Sequence, residues 1–450
     1  MSALDALASR IDEIAPLVMA EHRIPGAAVL AVDGETEVIR CYGVRDVDAK
    51  TPVDADTLFQ VGSVTKTVTA TLLQQLVVEG RLDLDAPLRR YLPTLALAAA
   101  DLSEQVTTRH LLAHVAGFEG DLFVDTGDGN DALERFVAQL DRAPQIAPFG
   151  WTHSYCNAGY SLLGRVIEVL RETPFEAAAQ SLVLEPLGMS RTAFAWMSRP
   201  ENCTTGHVVH DGRALAVRPW TLFRSIAPAG ALVSSARDLA SYARFHLGTR
   251  DASILSRDAL EAMRRPLYDA AISPNAVGWS TSRAGALALI GHGGSTVSHI
   301  AQLTLAPERA FAFAILTNAD RGGALVRALT CAILVDHLGP PPPSSPHYVT
   351  PDARSVVEYA GRYRAAIYDV AAGADGEGVW LDARRVGGMD AHQSPRPEPL
   401  PRMRLDFVAP DRAVIRNGPF TEQPVWFARD HDRRVRWVKF FGRLTRKLPE

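Results

Sequence analysis

Lysine is scarce in this chain: its 450 residues include 47 lysines and arginines, of which only Lys50, Lys66, Lys439 and Lys447 are lysines. Arginine stays protonated under ordinary conditions, whereas a buried lysine can lose its proton. Lys66 follows Ser63 by three residues and begins a stretch that reads as a buried helix. Residues three apart on a helix share a face, so a neutral Lys66 amine could take the proton of the Ser63 hydroxyl. Ser63 is therefore a candidate nucleophile.

Cysteine, net charge and long apolar runs are also limited, and each shortage excludes a class of protein. The four cysteines lack the close pairing of disulfide or metal frameworks, so we expect reduced thiols. A net charge of -4 offers no basic field for nucleic acid. No apolar run reaches the length of a membrane span, and residues 1–22 lack the basic start and apolar core of an export signal. The sequence predicts a cytoplasmic protein without a nucleic-acid or membrane partner.

The length favours two or three domains, since one core rarely extends over 450 residues. Apolar residues at helical spacing from 3 to 21 precede a buried strand at 26–32. A second apolar strand at 311–317 is followed by a helix from Gly323 to Leu338. The segments between these ends are mostly helix and loop. We predict a first domain over residues 1–338.

A proline-rich run follows this region. Residues 339–346 contain five prolines, which cannot continue a helix because proline lacks the amide donor and clashes with the preceding turn. We place a linker at residues 339–352 and a second domain at 353–450. Short strand-like runs separated by turns predict a small antiparallel barrel or sandwich there. These runs are residues 361–365, 379–383, 403–408, 413–416, 425–428 and 435–441.

A second motif, Tyr155-x-Asn157, lies in a loop that enters an apolar helix from Leu162 to Leu170. It matters because a Ser-x-x-Lys pair alone recurs by chance. A lysine ammonium favours the phenolate form of a neighbouring tyrosine. Lys66 and Tyr155 could therefore act together as the general base and then protonate a leaving group. Asn157 would hold Lys66 and a substrate amide. The ordinary alternative for Tyr155 is a buried ring with a satisfied hydroxyl, which leaves the spacing to Asn157 unexplained.

The third motif is His292-Gly293-Gly294-Ser295. Glycine in a strand allows another backbone to approach closely, so an extended, peptide-like substrate could pair with this edge. The backbone amides of Ser63 and Ser295 would form an oxyanion hole. Beside it, His292 would supply a hydrogen-bond donor or a charge that depends on its surroundings. The ordinary alternative is a glycine-rich turn with an incidental histidine.

Taken in order, the motifs resemble the active-site elements of the penicillin-recognising serine enzymes, in the branch like class C β-lactamases. The resemblance covers residues 1 to about 338 and includes segments such as Leu111 to Phe118 and Pro228 to Ser235. It implies an α+β fold, in which an antiparallel sheet is flanked by helices and an all-helical lobe is inserted, with the serine in the cleft between them. It implies no metal and no cofactor. The second domain is similar to the lipocalin-like barrel appended to several relatives.

One departure from this branch bears on function. Its β-lactamases usually carry lysine where this chain has His292, and histidine there looks more like the esterase, D-aminopeptidase and peptide-cyclase relatives. β-Lactam hydrolysis is therefore not the expected task. In some relatives a barrel loop reaches the catalytic cleft. Here the loop from Gly387 to Pro401 and the turn from Gly373 to Gly378 are the candidates, with a plain surface loop as the alternative.

The resemblance implies an acyl-serine enzyme, in which Ser63 attacks an ester, thioester or amide, Lys66 and Tyr155 move the proton, and water or an amine accepts the acyl group. The sharpest version is a stand-alone penicillin-binding-protein-type thioesterase that releases and macrocyclises a nonribosomal peptide. Its substrate would be a small molecule or a peptidyl group, including one bound to a carrier protein. An intracellular D-aminopeptidase, D-amino-acid amidase or short-chain esterase is an equal rival. A sensor that binds β-lactams or peptides without turnover is a further alternative, against which the intact motifs argue.

Two other segments look like metal sites but lack complete ligand sets. His207 and His210 have no nearby carboxylate or cysteine set, and residues 125–131 lack the ligand pattern of a calcium loop. Cys156 has no obvious base and is interpreted as part of the cleft wall.

Overall fold

The computed structural model describes residues 2–197, 199–217, 220–250, 254–339, 347–388 and 399–449. The chain forms a central antiparallel sheet with helices on both faces, a mainly helical insertion in that sheet, and a closed barrel. This is the α+β architecture with an added barrel that the sequence predicts.

The central sheet has six strands, and its neighbouring strands are antiparallel. In spatial order they are β2 (Thr36–Gly43), β1 (Gly26–Asp33), β11 (Phe311–Thr317), β10 (Ile300–Ala306), β9 (Leu287–Ser295) and β8 (Ser280–Ala284). The strands β1 and β11 are buried along almost their whole length, because elements pack on both of their faces. One face is covered by helices α1 (Ala3–His22) and α11 (Gly323–Asp336).

The insertion between β2 and β8 holds most of the helices. They are α2 (Thr65–Val78), α3 (Ala100–Gln105), α4 (Thr108–Leu112), α5 (Ala132–Val137), α6 (Asn157–Arg171), α7 (Phe175–Ala179), α8 (Ala227–Gly230), α9 (Ala236–Leu247) and α10 (Arg257–Arg264). Its short strands are β3 (Phe59–Gln60), β4 (Ala193–Phe194), β5 (His207–His210), β6 (Arg213–Ala216) and β7 (Leu232–Ser234). The helix α2 is buried from Thr65 to Leu76 and forms the centre of this region, so its first turn is held firmly.

The barrel has eight antiparallel strands and closes where Tyr363 of its first strand pairs with Lys447 of its last. The strands are β12 (Gly361–Arg364), β13 (Tyr368–Asp375), β14 (Gly378–Arg385), β15 (Met403–Ala409), β16 (Arg412–Ile415), β17 (Pro424–Arg429), β18 (Val435–Phe440) and β19 (Arg443–Lys447). Six of them coincide with the strand-like runs of the sequence, whereas β13 and β19 were not predicted.

The barrel interior is filled by apolar side chains, several of which are aromatic. The helix α12 (Ala353–Tyr359) brings in Tyr359, whose ring centroid lies 5.4 Å from that of Phe407 and 4.1 Å from that of Phe427. The Tyr363 hydroxyl donates to the Tyr359 carbonyl at 2.7 Å. This barrel therefore has a packed core of its own.

The proposed linker cannot be followed along its length, because residues 340–346 lie outside the described ranges. The helix α11 ends at Asp336 and α12 begins at Ala353. The domain bounds 1–338, 339–352 and 353–450 stay predictions.

The barrel packs on the helical insertion through an apolar contact that we call the seam. The Trp437 indole donates to the Ile146 carbonyl at 2.6 Å, and its ring lies 4.8 Å from that of Trp151. The Leu444 amide donates to Ser154 Oγ at 3.2 Å. The seam consists of Ile146, Ala147, Trp151, Trp426, Ala428, Trp437 and Leu444.

Two further expectations concern the chain as a whole. All four cysteines lie among the described residues and are free thiols, as predicted. Within the part of the chain that the structure describes, no helix combines the length and apolarity that crossing a bilayer requires.

Candidate active site

Ser63 lies in a short 3-10 turn, Gly62–Val64, that runs directly into α2. Gly62 has a φ of 51°, and a Cβ at this position would come within 2.6 Å of the Ser295 backbone nitrogen. Glycine is required here, because it adopts a left-handed conformation freely and leaves room for the second backbone. The turn thereby places Ser63 against the end of β9.

Lys66 lies in the first turn of α2 and has 0% of its surface exposed. Its Nζ is 3.1 Å from Ser63 Oγ and 2.7 Å from Asn157 Oδ1, and it also donates to the Ala229 carbonyl. A neutral amine has two N–H groups and one lone pair. The carbonyl oxygens of Asn157 and Ala229 accept both N–H groups, which leaves the lone pair for the proton of Ser63.

The surroundings of Lys66 favour this neutral form. Burial lowers the pKa of Lys66 well below its ordinary value of 10.5, and the Arg443 guanidinium lowers it further, while Asp121 acts in the opposite direction. The rings of Tyr155 and Tyr160 lie 4.9 and 5.2 Å from Nζ and offer an ammonium some stabilisation. Desolvation outweighs them, so the pKa of Lys66 stays lowered.

Tyr155 lies in the loop before α6 and is held between the insertion and the barrel. Its amide donates to the Gly442 carbonyl of the barrel at 2.9 Å. Its ring packs on His114 with 4.5 Å between centroids. Tyr155 therefore lies beside Lys66 with its backbone fixed by the second domain.

The protonation state of Tyr155 differs from the sequence-based expectation. Burial raises the pKa of the Tyr155 phenol above its ordinary value, although the nearby Ser63 hydroxyl and Arg443 guanidinium lower it in part. Within the described ranges, Tyr155 Oη is buried and has no hydrogen-bond partner of normal geometry. The expectation of a favoured phenolate is wrong for the free protein, because burial outweighs the effects of the Ser63 hydroxyl and the Arg443 guanidinium on this pKa. Tyr155 is a neutral phenol that holds a proton close to Ser63.

Asn157 is the first residue of α6, and both ends of its amide are engaged. Oδ1 accepts from Lys66, and Nδ2 donates to Asp121 Oδ1 at 2.7 Å. The expected contact with Lys66 is present. One amide hydrogen is already used by Asp121, so the asparagine is a fixed holder of the lysine more than a free ligand for a substrate amide.

His292 lies in β9 and is buried, 8% exposed. Its Nδ1 is 2.7 Å from the Gly293 carbonyl, and a carbonyl only accepts, so Nδ1 carries the proton and Nε2 is an acceptor. Burial and the neighbouring Lys66 lower the pKa of His292 to about 4. The expected donor or tuned charge is therefore a neutral ring at neutral pH.

The remaining residues of the third motif, Gly293, Gly294 and Ser295, complete the strand beside Ser63. A Cβ on Gly294 would lie 1.9 Å from the Val61 carbonyl oxygen and 3.2 Å from the Ser63 nitrogen, so only glycine fits. The Ser63 and Ser295 amides thus belong to two backbones in direct contact, as an oxyanion hole requires.

The edge of β9 that leads to this contact is open. Its neighbour β8 pairs with β9 only as far as Gly291, where Ser280 is the partner. Among the described residues, no strand pairs with the following residues, 292–295, on that side. An extended substrate has room to add its backbone there.

Two further residues at this site, Asp121 and Arg443, were not predicted from the sequence. Asp121 is buried and accepts from Asn157, and the Arg443 guanidinium donates to both of its carboxylate oxygens, with Nη2 to Oδ1 at 3.3 Å. Arg443 Cζ also lies 5.0 Å from the centroid of the Tyr155 ring. A continuous chain of contacts therefore runs from Lys66 through Asn157 and Asp121 to an arginine of the barrel.

The barrel reaches the cleft through a turn that was not among the two candidates. The contact is the two-residue turn Phe441–Gly442 between β18 and β19. In the expected turn at 373–378, Asp375 and Glu377 pair instead with Arg404 of the barrel wall at 2.6 Å. Most of the other expected loop, residues 389–398 of 387–401, lies outside the described residues.

The candidate metal residues make ordinary protein contacts. His207 in β5 accepts from the Val47 amide at 3.3 Å and contacts the Asn318 carbonyl at 3.0 Å, which occupies both ring nitrogens. Within the described ranges there is no group of three or more His, Cys, Asp or Glu side chains that could hold a metal. Cys156 caps α6 by accepting from the Gly159 amide and is buried in the wall.

Comparison with known proteins gives three kinds of match. The family described as Beta-lactamase matches residues 11–335. Penicillin-binding protein 4 of Amycolatopsis lactamdurans is 34% identical over 320 residues, covering 66% of this chain and 82% of that protein. Esterase EstB of Burkholderia gladioli is 37% identical over 234 residues, covering 48% of this chain and 58% of the esterase.

Two solved structures match nearly the whole chain, including the barrel. SurE, solved with D-Leu, has a TM-score of 0.75 and 28% identity, and the match covers 99% of each chain. An octameric penicillin-binding protein homologue from Pyrococcus abyssi has a TM-score of 0.66 and 22% identity, with 97% of this chain covered, and shares the fold. The family match covers most of the chain and includes all three motifs. The chain belongs to the beta-lactamase family of serine hydrolases.

Proposed function

We propose that this protein acylates Ser63 with a peptide-like ester or thioester and passes the acyl group to an amine or to water. The observation that carries the proposal is the environment of Lys66. The amine is fully buried, both N–H groups of its neutral form are accepted by carbonyl oxygens, and the remaining lone pair is left for Ser63 Oγ at 3.1 Å. A neutral amine in this position acts as a general base.

The first step forms the acyl-enzyme. Ser63 Oγ bonds to the acyl carbon while its proton moves to the lone pair of Lys66, and the amides of Ser63 and Ser295 stabilise the developing oxyanion. The bond to the leaving group then breaks. The neutral Tyr155 phenol gives the leaving group its proton, and the Lys66 ammonium returns one to Tyr155, so the pair is ready again.

The second step uses the same groups in reverse. An amine or a water molecule attacks the acyl carbon, its proton passes to Lys66, and the bond to Ser63 Oγ breaks as Tyr155 reprotonates that oxygen. The Tyr155 proton is then replaced from Lys66.

We further propose that the acyl donor is a peptidyl thioester with a D-configured terminal residue, carried by a carrier protein, and that an amine of the same peptide is the acceptor. This would make the protein a stand-alone thioesterase that releases and macrocyclises a nonribosomal peptide. The end-to-end similarity to SurE, which was solved with D-Leu, supports a D-residue in the site. The open edge of β9 at His292 to Ser295 suits an extended peptide.

A short-chain esterase is the second candidate, because esterase EstB is 37% identical over 234 residues. An esterase would use the same serine and base and would differ in its acceptor, which is water.

Two experiments test the proposal, the first for acylation of Ser63 and the second for the acyl acceptor. Incubation with a fluorophosphonate should add one adduct per chain, found on Ser63 by mass spectrometry, and Ser63→Ala should add none. Equal labelling of the wild type and Ser63→Ala would contradict the acyl-serine chemistry altogether.

The second experiment addresses the acceptor. A peptidyl thioester that ends in a D-residue should give a product lighter than the linear acid by one water, which is the cyclic peptide. Its diastereomer with an L-residue at that end should react more slowly. Formation of the linear acid alone, together with rapid turnover of simple esters, would refute the cyclase and favour the esterase.

A further inference from the structure

A row of three side chains on the outer face of the barrel combines two cations and an indole. Arg412 of β16 is the cross-strand partner of Trp426 in β17, and Trp426 is the partner of Lys439 in β18. Direct cross-strand partners point to the same face of a sheet. Arg412 Cζ lies 4.0 Å and Lys439 Nζ 5.9 Å from the Trp426 ring centroid. Both cations therefore lie close to the same aromatic ring.

Neither cation has a carboxylate partner. Across the described ranges, Arg412 and Lys439 form no salt bridge, although most other arginines of the barrel do. Asp411, the acidic neighbour of Arg412, is already engaged by the Arg429 guanidinium at 2.8 and 2.9 Å and by the Tyr359 hydroxyl at 2.9 Å. Within the described ranges, the two cations therefore have no carboxylate at salt-bridge distance, and Asp411 acts on Arg412 only from further away.

Lys439 is unusual among the four lysines. Lys50 is exposed, Lys447 donates to the Glu358 carbonyl, and Lys66 contacts Ser63 Oγ. Lys439 is partly buried, and burial together with Arg412 lowers its pKa to about 8. A partly buried ammonium that has no hydrogen-bond acceptor destabilises the folded protein, whereas a bound anion would pair with it and offset that cost.

The row borders the seam and lies close to the catalytic cleft. Trp426 packs on Trp151 of the insertion with 5.8 Å between ring centroids. Lys439 pairs with Leu444, the residue after Arg443, and its charge acts on His153, two residues before Tyr155. A ligand held here would border the segment from Trp151 to His153, which leads to Tyr155.

We propose that Arg412, Trp426 and Lys439 form a binding site for a phosphate group. Arginine offers a planar fork of donors and lysine a compact point charge, and both suit phosphate oxygens. Two cations match the double charge of a phosphate monoester better than the single charge of a carboxylate. The rings of Trp426 and Trp151 would contact an organic substituent of that phosphate.

The phosphate could come from a free phosphate ester or from the phosphopantetheine arm of a carrier protein. The two sources share the same group, and the ligands used in the test distinguish them. The site itself does not depend on which acyl acceptor Ser63 uses.

Competitive labelling of lysines tests the site in the full chain. The protein is treated with trace acetic anhydride at several concentrations of inorganic phosphate, and acetylation of Lys439 and Lys50 is quantified by mass spectrometry. Bound phosphate should keep Lys439 protonated and shielded. At three times the dissociation constant, its labelling rate should fall roughly fourfold, while that of Lys50 should not change.

Variants decide whether the row is responsible. Arg412→Gln should abolish the protection of Lys439, whereas Arg434→Gln, which removes an exposed arginine from the same end of the barrel, should retain it. Equal protection of Lys439 and Lys50, or protection that survives in Arg412→Gln, would overturn the proposal.

Two further ligands identify the source. If phosphopantetheine protects Lys439 at lower concentration than inorganic phosphate does, the site serves a carrier-bound arm. If both protect equally, it serves free phosphate. Protection by pantetheine, which lacks the phosphate, at the same concentration as phosphopantetheine would contradict a phosphate site.

Discussion

Arginine cannot replace lysine at position 66, because the guanidinium keeps its proton under conditions in which the buried amine loses it. Lys66→Arg should lower the rate of Ser63 acylation by roughly a thousandfold, since a general base contributes on the order of 10²–10⁴ in rate. The measurement is the rate of fluorophosphonate adduct formation, followed by mass spectrometry. Lys50→Arg, at an exposed position, is the matched control and should react like the wild type.

Gly294 and Gly293 form a second pair that can be compared. A Cβ on Gly294 would lie 1.9 Å from the Val61 carbonyl oxygen, whereas on Gly293 it would meet the flexible Gln302 side chain at 3.2 Å. Gly294→Ala should displace the oxyanion hole and lower kcat by about a hundredfold, a typical effect of losing one donor. Gly293→Ala should retain most of its activity. Equal losses in both variants, with unchanged circular dichroism, would contradict the proposed oxyanion hole.

At this scale the sequence identified residues that are close along the chain or belong to a known motif. Ser63 and Lys66 are linked by helical spacing, and the order of the motifs indicated Tyr155 and Asn157. The protonation state of Tyr155 could not be predicted, because it depends on burial by distant parts of the chain.

The hairpin of β18 and β19 is the element that joins the barrel to the catalytic cleft. Its last strand was missed because Arg443, Arg446 and Lys447 make it look like a charged tail. Only Arg446 of the three is exposed, since Arg443 is engaged by Asp121 and Lys447 by the Glu358 carbonyl, while Leu444 and Thr445 are buried. The turn signal Phe441-Gly442 after a strand-like run was the one clue that a further strand follows. Asp121 was missed because its partner Arg443 is far away in sequence.

The charge of Arg443 in this hairpin, together with that of its partner Asp121, should set the pKa of Lys66. Arg443 lowers the pKa of Lys66 and Asp121 raises it. Lys66 works as a base when neutral, so acylation should increase as pH rises through its pKa. Arg443→Gln should move this increase to higher pH, and Asp121→Asn should move it to lower pH. The measurement is the pH profile of kcat/KM for an ester substrate.

Arg446→Gln is the control for charge, since it removes an exposed arginine from the same strand. Its profile should coincide with that of the wild type. A shift of Arg443→Gln and Asp121→Asn in the same direction would show that these residues act through structure and not through charge.

At the scale of the whole molecule, two domains share one site. The first domain supplies Ser63 and Lys66, the proposed nucleophile and base, and the second supplies Gly442 and Arg443, which hold Tyr155 and Asp121. The barrel, and the strands and helices at the two ends of the first domain, were predictable from hydrophobic patterns and turn residues, whereas the domain bounds stay predictions. The relative placement of the two domains was not predictable, because the seam joins Ile146 and Trp151 to residues almost 300 positions later.

Loosening the seam should therefore reduce activity without touching a catalytic residue. Trp437→Ala removes the hydrogen bond to Ile146 and the packing on Trp151. We expect kcat/KM to fall about tenfold, a loss equivalent to roughly 1.4 kcal/mol of transition-state stabilisation. Trp380→Ala, which removes a barrel tryptophan that stacks on Arg402 away from the seam, should have little effect. Equal activity of both variants would show that docking of the barrel is not needed.

The central claim is that Lys66 is neutral in the free protein and points its lone pair at Ser63. The scarcity of lysine allows a direct measurement, because a protein labelled with ¹³C at lysine Cε gives only four lysine side-chain signals. Nuclear magnetic resonance titration, with Lys66→Arg and Lys439→Arg to assign the signals, yields the pKa of each. We expect the Lys66 signal to titrate well below 10.5, and at a lower pH in the wild type than in Arg443→Gln. A Lys66 signal that titrates near 10.5 would contradict the proposed neutral amine.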